Sequence, residues 1–311
     1  MRSALKAILT ISLIFSACHV WAEPVISHKA FLSQKLEIDG LAGTPWEDGS
    51  SFDEERSRAW MDAMHHAYES ILNLPLMEGK LVRHVMQTNP ALKERLGMIL
   101  LSAEKSFYQP DITGLIRCRL EIPLSGKLSL RSALYLAALR PQSQQPASFL
   151  ASWSAGIKNR EEPVPVCKRL VVDLRECYFV PSIFPRFFDS DGALLFQEAM
   201  VPQPYRFSRP AVKFATDIIA ARGSFSEGEY TYVSAFVNEL STSDATITGA
   251  DSALAASFFR QMIENPDREL DVVIVFDPLK TGVAGKMQAT EPERNEKTEK
   301  SAANIPTGGK K

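Results

Sequence analysis

Two short patterns in this chain could do covalent chemistry. Ser102-Ala-Glu-Lys105 has the Ser-x-x-Lys form, and Lys280-Thr-Gly282 the Lys-Thr-Gly form, of serine acyl transfer. In that chemistry a lysine near the serine helps activate the hydroxyl, and the second lysine lines the acyl site. The remaining element should read Ser-x-Asn, and Ser243-Asp-Ala245 lacks the asparagine. Ser102 also falls deep in a helical pattern instead of at an exposed helix start, and Lys280 comes after a strand pattern. Motifs of this length recur by chance, so an acyl-enzyme built on Ser102, Lys105 and Lys280 is the unfavoured alternative.

The histidines offer less. His65 and Glu69 stand four apart on one helix face, a spacing that a metal site can use, with His66 and His84 nearby in sequence. No set of Cys, His and carboxylate residues at ligand spacing completes them, so a solvated helix flank is the expected setting and no metal or cofactor is expected. A third group interleaves arginine with aromatics: Phe184-Pro-Arg186-Phe187-Phe188 and Tyr205-Arg206-Phe207-Ser-Arg209. Such residues concentrate in the middle of protein interfaces, and they could also stack on a sugar. The plainer account is sheet core with arginine at its rim. Arg186, Phe187, Tyr205, Arg206 and Phe207 are the interface candidates of the second half, and Arg117 with Arg119 those of the first.

The elements that must position these residues follow from periodicity. Ala30 to Ile38 reads as a strand. Ser51-Phe-Asp-Glu54 has the form of a capping box, in which serine and glutamate side chains satisfy backbone donors of the first turn. Trp60, Met64, Ala67, Tyr68, Ile71 and Leu72 then recur at helical spacing, with Ala59 and Ala63 small enough for close packing on a sheet. A second helix starts near Met77 and is interrupted at Asn89-Pro90, because proline fits the first turn of a helix and not its interior. Beyond it Leu92, Leu96, Ile99, Leu100, Ala103 and Phe107 form one apolar stripe. Ile112 to Leu124 alternates with period two and is the clearest strand. Residues 127–140 suggest a short helix.

The second half gives a strand at Lys168 to Leu174, a hairpin over Phe184 to Phe196 turning at Gly192, and a helix from Ala211 to Arg222. A strand at Tyr230 to Leu240, a helix at Ser252 to Ile263 and a buried strand at Leu270 to Phe276 complete it. The predicted fold is α+β: two small helix-and-sheet modules, each with helices on one face of a mainly antiparallel sheet. Their expected bounds are 25–140 and 167–284, joined by a Pro/Gln/Ser-rich linker at 141–166 and followed by a disordered tail at 285–311.

The alanine-spaced helix (Arg56-Ser-Arg-Ala59, Ala63, Ala67), the interrupted second helix and the strand closed by Pro123-Leu124-Ser-Gly126 together carry a resemblance. Over about residues 30–126 the chain resembles the bacterial outer-membrane lipoprotein family that includes the flagellar basal-disk protein FlgP and the N-terminal domain of the flagellar assembly protein FlgT. The resemblance implies a small α/β module that assembles by protein–protein contacts at the outer membrane, and it brings no catalytic residues.

The first residues agree with an envelope location. Arg2 and Lys6 precede an apolar run from Ala7 to Ala17, and Val20-Trp21-Ala22 supplies small residues for signal-peptide cleavage, giving a leader of residues 1–22. Phe15-Ser16-Ala17-Cys18 competes as a lipobox. Cleavage there would leave Cys18 acylated and anchored in the inner leaflet of the outer membrane, since each buried methylene contributes about 0.8 kcal/mol. Cleavage after Ala22 would leave a free periplasmic protein. A formal charge of −2 over 311 residues gives no concentrated basic face for nucleic acid. The expected partners are other copies of the chain or other envelope proteins, with a periplasmic ligand- or glycan-binding module as the alternative. Cys118, Cys167 and Cys177 are expected as free thiols. The extended residues between Cys167 and Cys177 hold those two apart.

Overall fold

The described residues of the computed structural model are 23–43, 51–108, 115–138, 167–202, 205–206, 209–238 and 241–280. The leader, the linker at 141–166 and the tail from 285 lie outside them. The first element is helix α1 (Glu23–Ser33), followed by strand β1 (Lys35–Ala42). The strand expected from Ala30 therefore begins five residues later. Ala30 and Phe31 bury as helix residues, with the Phe31 ring edge-on to Phe214 at 5.4 Å. The chain reverses at Gln34, which has a positive φ of 56°.

Helix α2 (Phe52–Leu72) starts at the predicted capping box. Glu54 N donates to Ser51 Oγ at 3.2 Å, and Ser51 N donates to Glu54 Oε2 at 2.8 Å. Its alanine stripe, Ala59, Ala63 and Ala67, is fully buried, and the reason lies opposite. A Cβ on Gly40 of β1 would sit 2.1 Å from Ala63 N and 2.3 Å from Ala59 O. Only glycine facing alanine lets helix and strand approach this closely.

Next comes a hairpin, β2 (Pro75–Met77) and β3 (Lys80–Leu81), where the sequence suggested a helix start. Glu78 and Gly79 both have positive φ, 54° and 68°, as a two-residue turn between antiparallel strands requires. Helix α3 (Val82–Thr88) ends at Asn89-Pro90 and α4 (Ala91–Ser102) begins just after it, so the proline interruption is where the sequence puts it. Here the apolar stripe misleads. Ala103 is extended, and strand β4 (Glu104–Tyr108) follows, Phe107 pairing with Cys118. Phe107 fits helical spacing after Ala103 and also fits a period of two, and the neighbouring strand decides between them. Strand β5 (Ile116–Pro123) alternates as expected, with Ile116, Cys118, Leu120 and Ile122 buried. The first sheet, β1-β5-β4, is antiparallel throughout.

Helix α5 (Leu130–Ala138) closes the first half. The second contributes strands β6 (Arg169–Asp173), β7 (Phe187–Asp189), β8 (Leu194–Phe196), β9 (Val212–Ala215), β10 (Tyr230–Asn238), β11 (Ser241–Ile247) and β12 (Asp271–Val275). Helices α6 (Ile218–Arg222) and α7 (Gly249–Glu264) accompany them. The sheet order is β8-β7-β11-β10-β6-β12-β9. The β7–β8 and β10–β11 pairs are antiparallel, and the other four neighbouring pairs are parallel. The helix expected over Ala211 to Arg222 divides: Val212 to Ala215 pair with β12, and Asp217 then caps α6 through a 2.7 Å bond from Ala220 N.

The fold is α+β, as the patterning indicates, but the mainly antiparallel sheet expected of both halves holds only for the first. Four of the six neighbouring pairs of the second sheet are parallel, their strands joined by crossovers instead of hairpins. One buried cluster runs through both halves, from Leu36, Ile71 and Leu120 to Phe179, Phe214, Phe259 and Phe276. The β2–β3 hairpin also joins them: Ile183 N donates to Pro75 O at 3.0 Å and Phe184 N to Leu76 O at 2.9 Å.

Candidate functional site

The acyl-transfer residues each have a partner of their own. Ser102 ends α4 and its hydroxyl donates to Ile99 O at 3.0 Å. The Lys105 ammonium sits 4.6 Å over the Trp60 ring, and Lys280 pairs with Glu176 at 3.2 Å. His66 lies 3.5 Å from Asp62, and His84 Nδ1 accepts from Leu81 N at the start of α3. Among the described residues no three His, Cys, Asp or Glu side chains are grouped to hold a metal ion.

The arginine–aromatic set of the second half is spent on holding the molecule together. Phe187 is fully buried, its ring 5.1 Å from Phe259 and 6.1 Å from Phe196, so it belongs to the core and presents no contact surface. Arg186 clamps buried Asp244 through Nη2 at 2.7 Å and Nε at 3.2 Å, while its Nη1 reaches Glu78 Oε1 at 2.5 Å. Arg206 bonds Val201 O and Ala199 O at 2.5 and 2.6 Å and lies 4.7 Å over the Tyr135 ring. Tyr205 is half-buried beside Asp267. Phe207 lies outside the described residues.

Beside Arg206 is the one carboxylate of this group whose proton affinity is strongly raised. Glu198 is buried, 3.5 Å from Arg131 Nε, and its Oε1 has no hydrogen-bond partner. Burial pushes its pKa up to about 7, against the pull of Arg131 and Arg206. Arg131 itself donates to Ile183 O at 2.9 Å, so this cluster ties α5 to the second half.

The surface with unused recognition capacity is elsewhere, at β4. Of the four outer strands of the two larger sheets, β9 lies under α1 through the Phe31–Phe214 contact, and β8 carries buried Leu195 and Phe196. On β1, Leu41 N bonds Asp62 Oδ2 at 2.9 Å and Gly40 lies under α2. Among the described residues nothing pairs with the outer edge of β4. Glu104, Lys105, Ser106 and Tyr108 are exposed, and Phe107 is half-buried.

Aromatic rings shelter the cations around this edge. The Arg56 guanidinium lies 4.4 Å over Phe107 and 5.8 Å over Phe52, with Lys105 over Trp60 beside it on the helix side of the sheet. On the opposite face Arg119 lies 5.3 Å over Tyr108 and grips Asp39 with two bonds of 2.8 and 3.1 Å. Those bonds hold the Asp39 carboxyl below its usual range. Exposed aromatic and cationic groups beside an unpaired strand suit a protein partner, which gains main-chain bonds from the edge and side-chain contacts from the strip.

Arg117 and Arg119 were legible as candidates in the sequence, whereas the Phe52–Arg56–Trp60 flank of α2 was not. Its only signal is an i, i+4, i+8 spacing of aromatic and cationic residues seven positions before Ala59, Ala63 and Ala67, on the same side of the helix. No protein-family model matches this chain, and no curated protein sequence does either. Among the described residues no helix is long and apolar enough to cross a membrane.

Proposed function

We propose that this is a non-enzymatic cell-envelope protein that works by assembly with other proteins, as a component of a flagellum-associated or other outer-membrane machine. The observation that carries the reading is the β4 edge, unpaired among the described residues, with its flanking strip of Phe52, Arg56, Trp60, Lys105 and Phe107. The leader pattern and the resemblance to the outer-membrane lipoprotein family supply the location and the machine class.

The test is photo-cross-linking in the cells that make the protein, from an amino-acid photoprobe placed at Lys105. The assembly reading expects protein adducts from Lys105 that are missing from the same probe at exposed His65. Absence of adducts at Lys105 over the whole growth cycle would reject it. Mass spectrometry of the purified N-terminus distinguishes acylated Cys18 from a chain starting at Glu23.

A further inference from the structure

We infer that β4 pairs with the β4 of a second copy, antiparallel and centred on Ser106, so that two three-stranded sheets become one of six strands. The inference rests on the assembly reading and names its surface and its partner. Antiparallel pairing about a two-fold axis requires residues of the same sheet face to oppose one another. With Ser106 opposite Ser106, Lys105 faces the second copy's Phe107 on the helix side, and Glu104 faces its Tyr108 on the other.

The charges favour this register. Within one copy Glu104 lies directly across from Glu121, a like-charge pairing that destabilises a sheet. Glu104 makes no ion pair among the described residues, and neither does the exposed Arg117, which lies across from Tyr108 at the far end of the strand. The proposed pairing brings these two together. Arg117 of one copy lies one strand beyond the Tyr108 that faces Glu104 of the other. The two backbones are about 10 Å apart, within the combined reach of the two side chains, and the contact occurs twice.

On the helix side, each Lys105 ammonium gains a second aromatic neighbour in the opposing Phe107, whose other face holds Arg56. Shifting the register by two residues centres the pair on Lys105 or Phe107. That either opposes two lysines or separates Glu104 from Arg117. A partner of different sequence would satisfy the edge bonds equally but would have no reason to match these four side chains.

Sedimentation velocity of the mature chain tests the pairing, with Ser106→Cys, Glu104→Lys, Arg117→Glu and the double charge swap as variants. Self-pairing predicts a dimer, and an intermolecular disulfide in Ser106→Cys under mild oxidation that the unsubstituted chain does not form. Each single charge reversal weakens association by roughly tenfold and the double swap restores it. A monomer at all concentrations without a Ser106→Cys link overturns self-pairing. If photo-cross-linking at Lys105 then captures a different protein, assembly survives and only the second copy is excluded; if it captures nothing, both fail.

Discussion

Arg186 donates from Nη1 to Glu78 Oε1 at 2.5 Å, linking the tip of a hairpin in the first half to the second sheet. The same guanidinium satisfies Asp244, which is completely buried. Glu78 reaches it because the Glu78-Gly79 turn, with both residues at positive φ, aims the tip at β7 and β11, where Gly79 N also donates to Ser243 Oγ at 3.3 Å.

Arg186→Ala should therefore cost about 3–5 kcal/mol, since it leaves the Asp244 carboxylate buried without its cation. Arg186→Lys should recover only part of this, because an ammonium cannot reproduce the forked contact. Urea unfolding of the two variants and of the unsubstituted chain is the measurement. A cost for Arg186→Ala within error of a surface substitution would contradict the clamp.

Gly40 and Gly97 should respond in opposite directions to alanine. At Gly40 the new Cβ meets the backbone of α2 at 2.1 Å, so Gly40→Ala should cost about 3 kcal/mol or more as the helix is pushed off the sheet. At Gly97, inside α4, nothing lies within 4 Å of the added carbon, and Gly97→Ala should stabilise by about 0.5–1 kcal/mol. Melting temperatures of the two variants would show the split.

Glu198 should make stability fall as pH rises. Its folded pKa, about 7, is above the ordinary 4.5. The folded state therefore holds the proton longer than the unfolded chain, and that stabilisation is complete below about pH 4.5 and lost as pH passes 7. The size is on the order of 3 kcal/mol. His28 opposes it, since burial against Phe276 lowers its pKa and favours the folded state as pH rises through the unfolded histidine range. Subtracting the Glu198→Gln profile removes the histidine. That variant should match the unsubstituted chain near pH 5 and exceed it near pH 8. Parallel profiles would show that Glu198 ionises normally.

The thiols should differ in reactivity. Cys118 and Cys167 are buried, and burial pushes both thiols up, so neither should react with an alkylating reagent until the protein unfolds. Half-buried Cys177 should react first. Mass spectrometry of a brief labelling time course would place the modification.

The parts read correctly from sequence are those fixed by local physics. Ser51 and Glu54 cap a helix through atoms three residues apart, Pro90 interrupts one by removing a donor, and β5 alternates because one face is buried. The parts misread depend on distant residues. Phe107 satisfies either period, and only pairing with Cys118 makes it a strand residue. Ser241 to Ile247 has too few large apolar residues to announce β11, whose position is fixed by neighbours on both sides. Phe187 has the composition of an interface, yet Phe196 and Phe259 enclose it. The β4 edge is hidden in the sequence because Ala103 and Phe107 continue the apolar spacing of the preceding helix.

The Arg186–Glu78 bond spans 108 positions of the chain. A polypeptide that emerges N-terminus first exposes Glu78 long before its partner exists, and Asp244 follows later still. The first sheet can form from early residues, but its hairpin must wait for the second. Any interruption of synthesis between residues 81 and 186 would leave an intermediate with an unclasped tip until the remainder arrives.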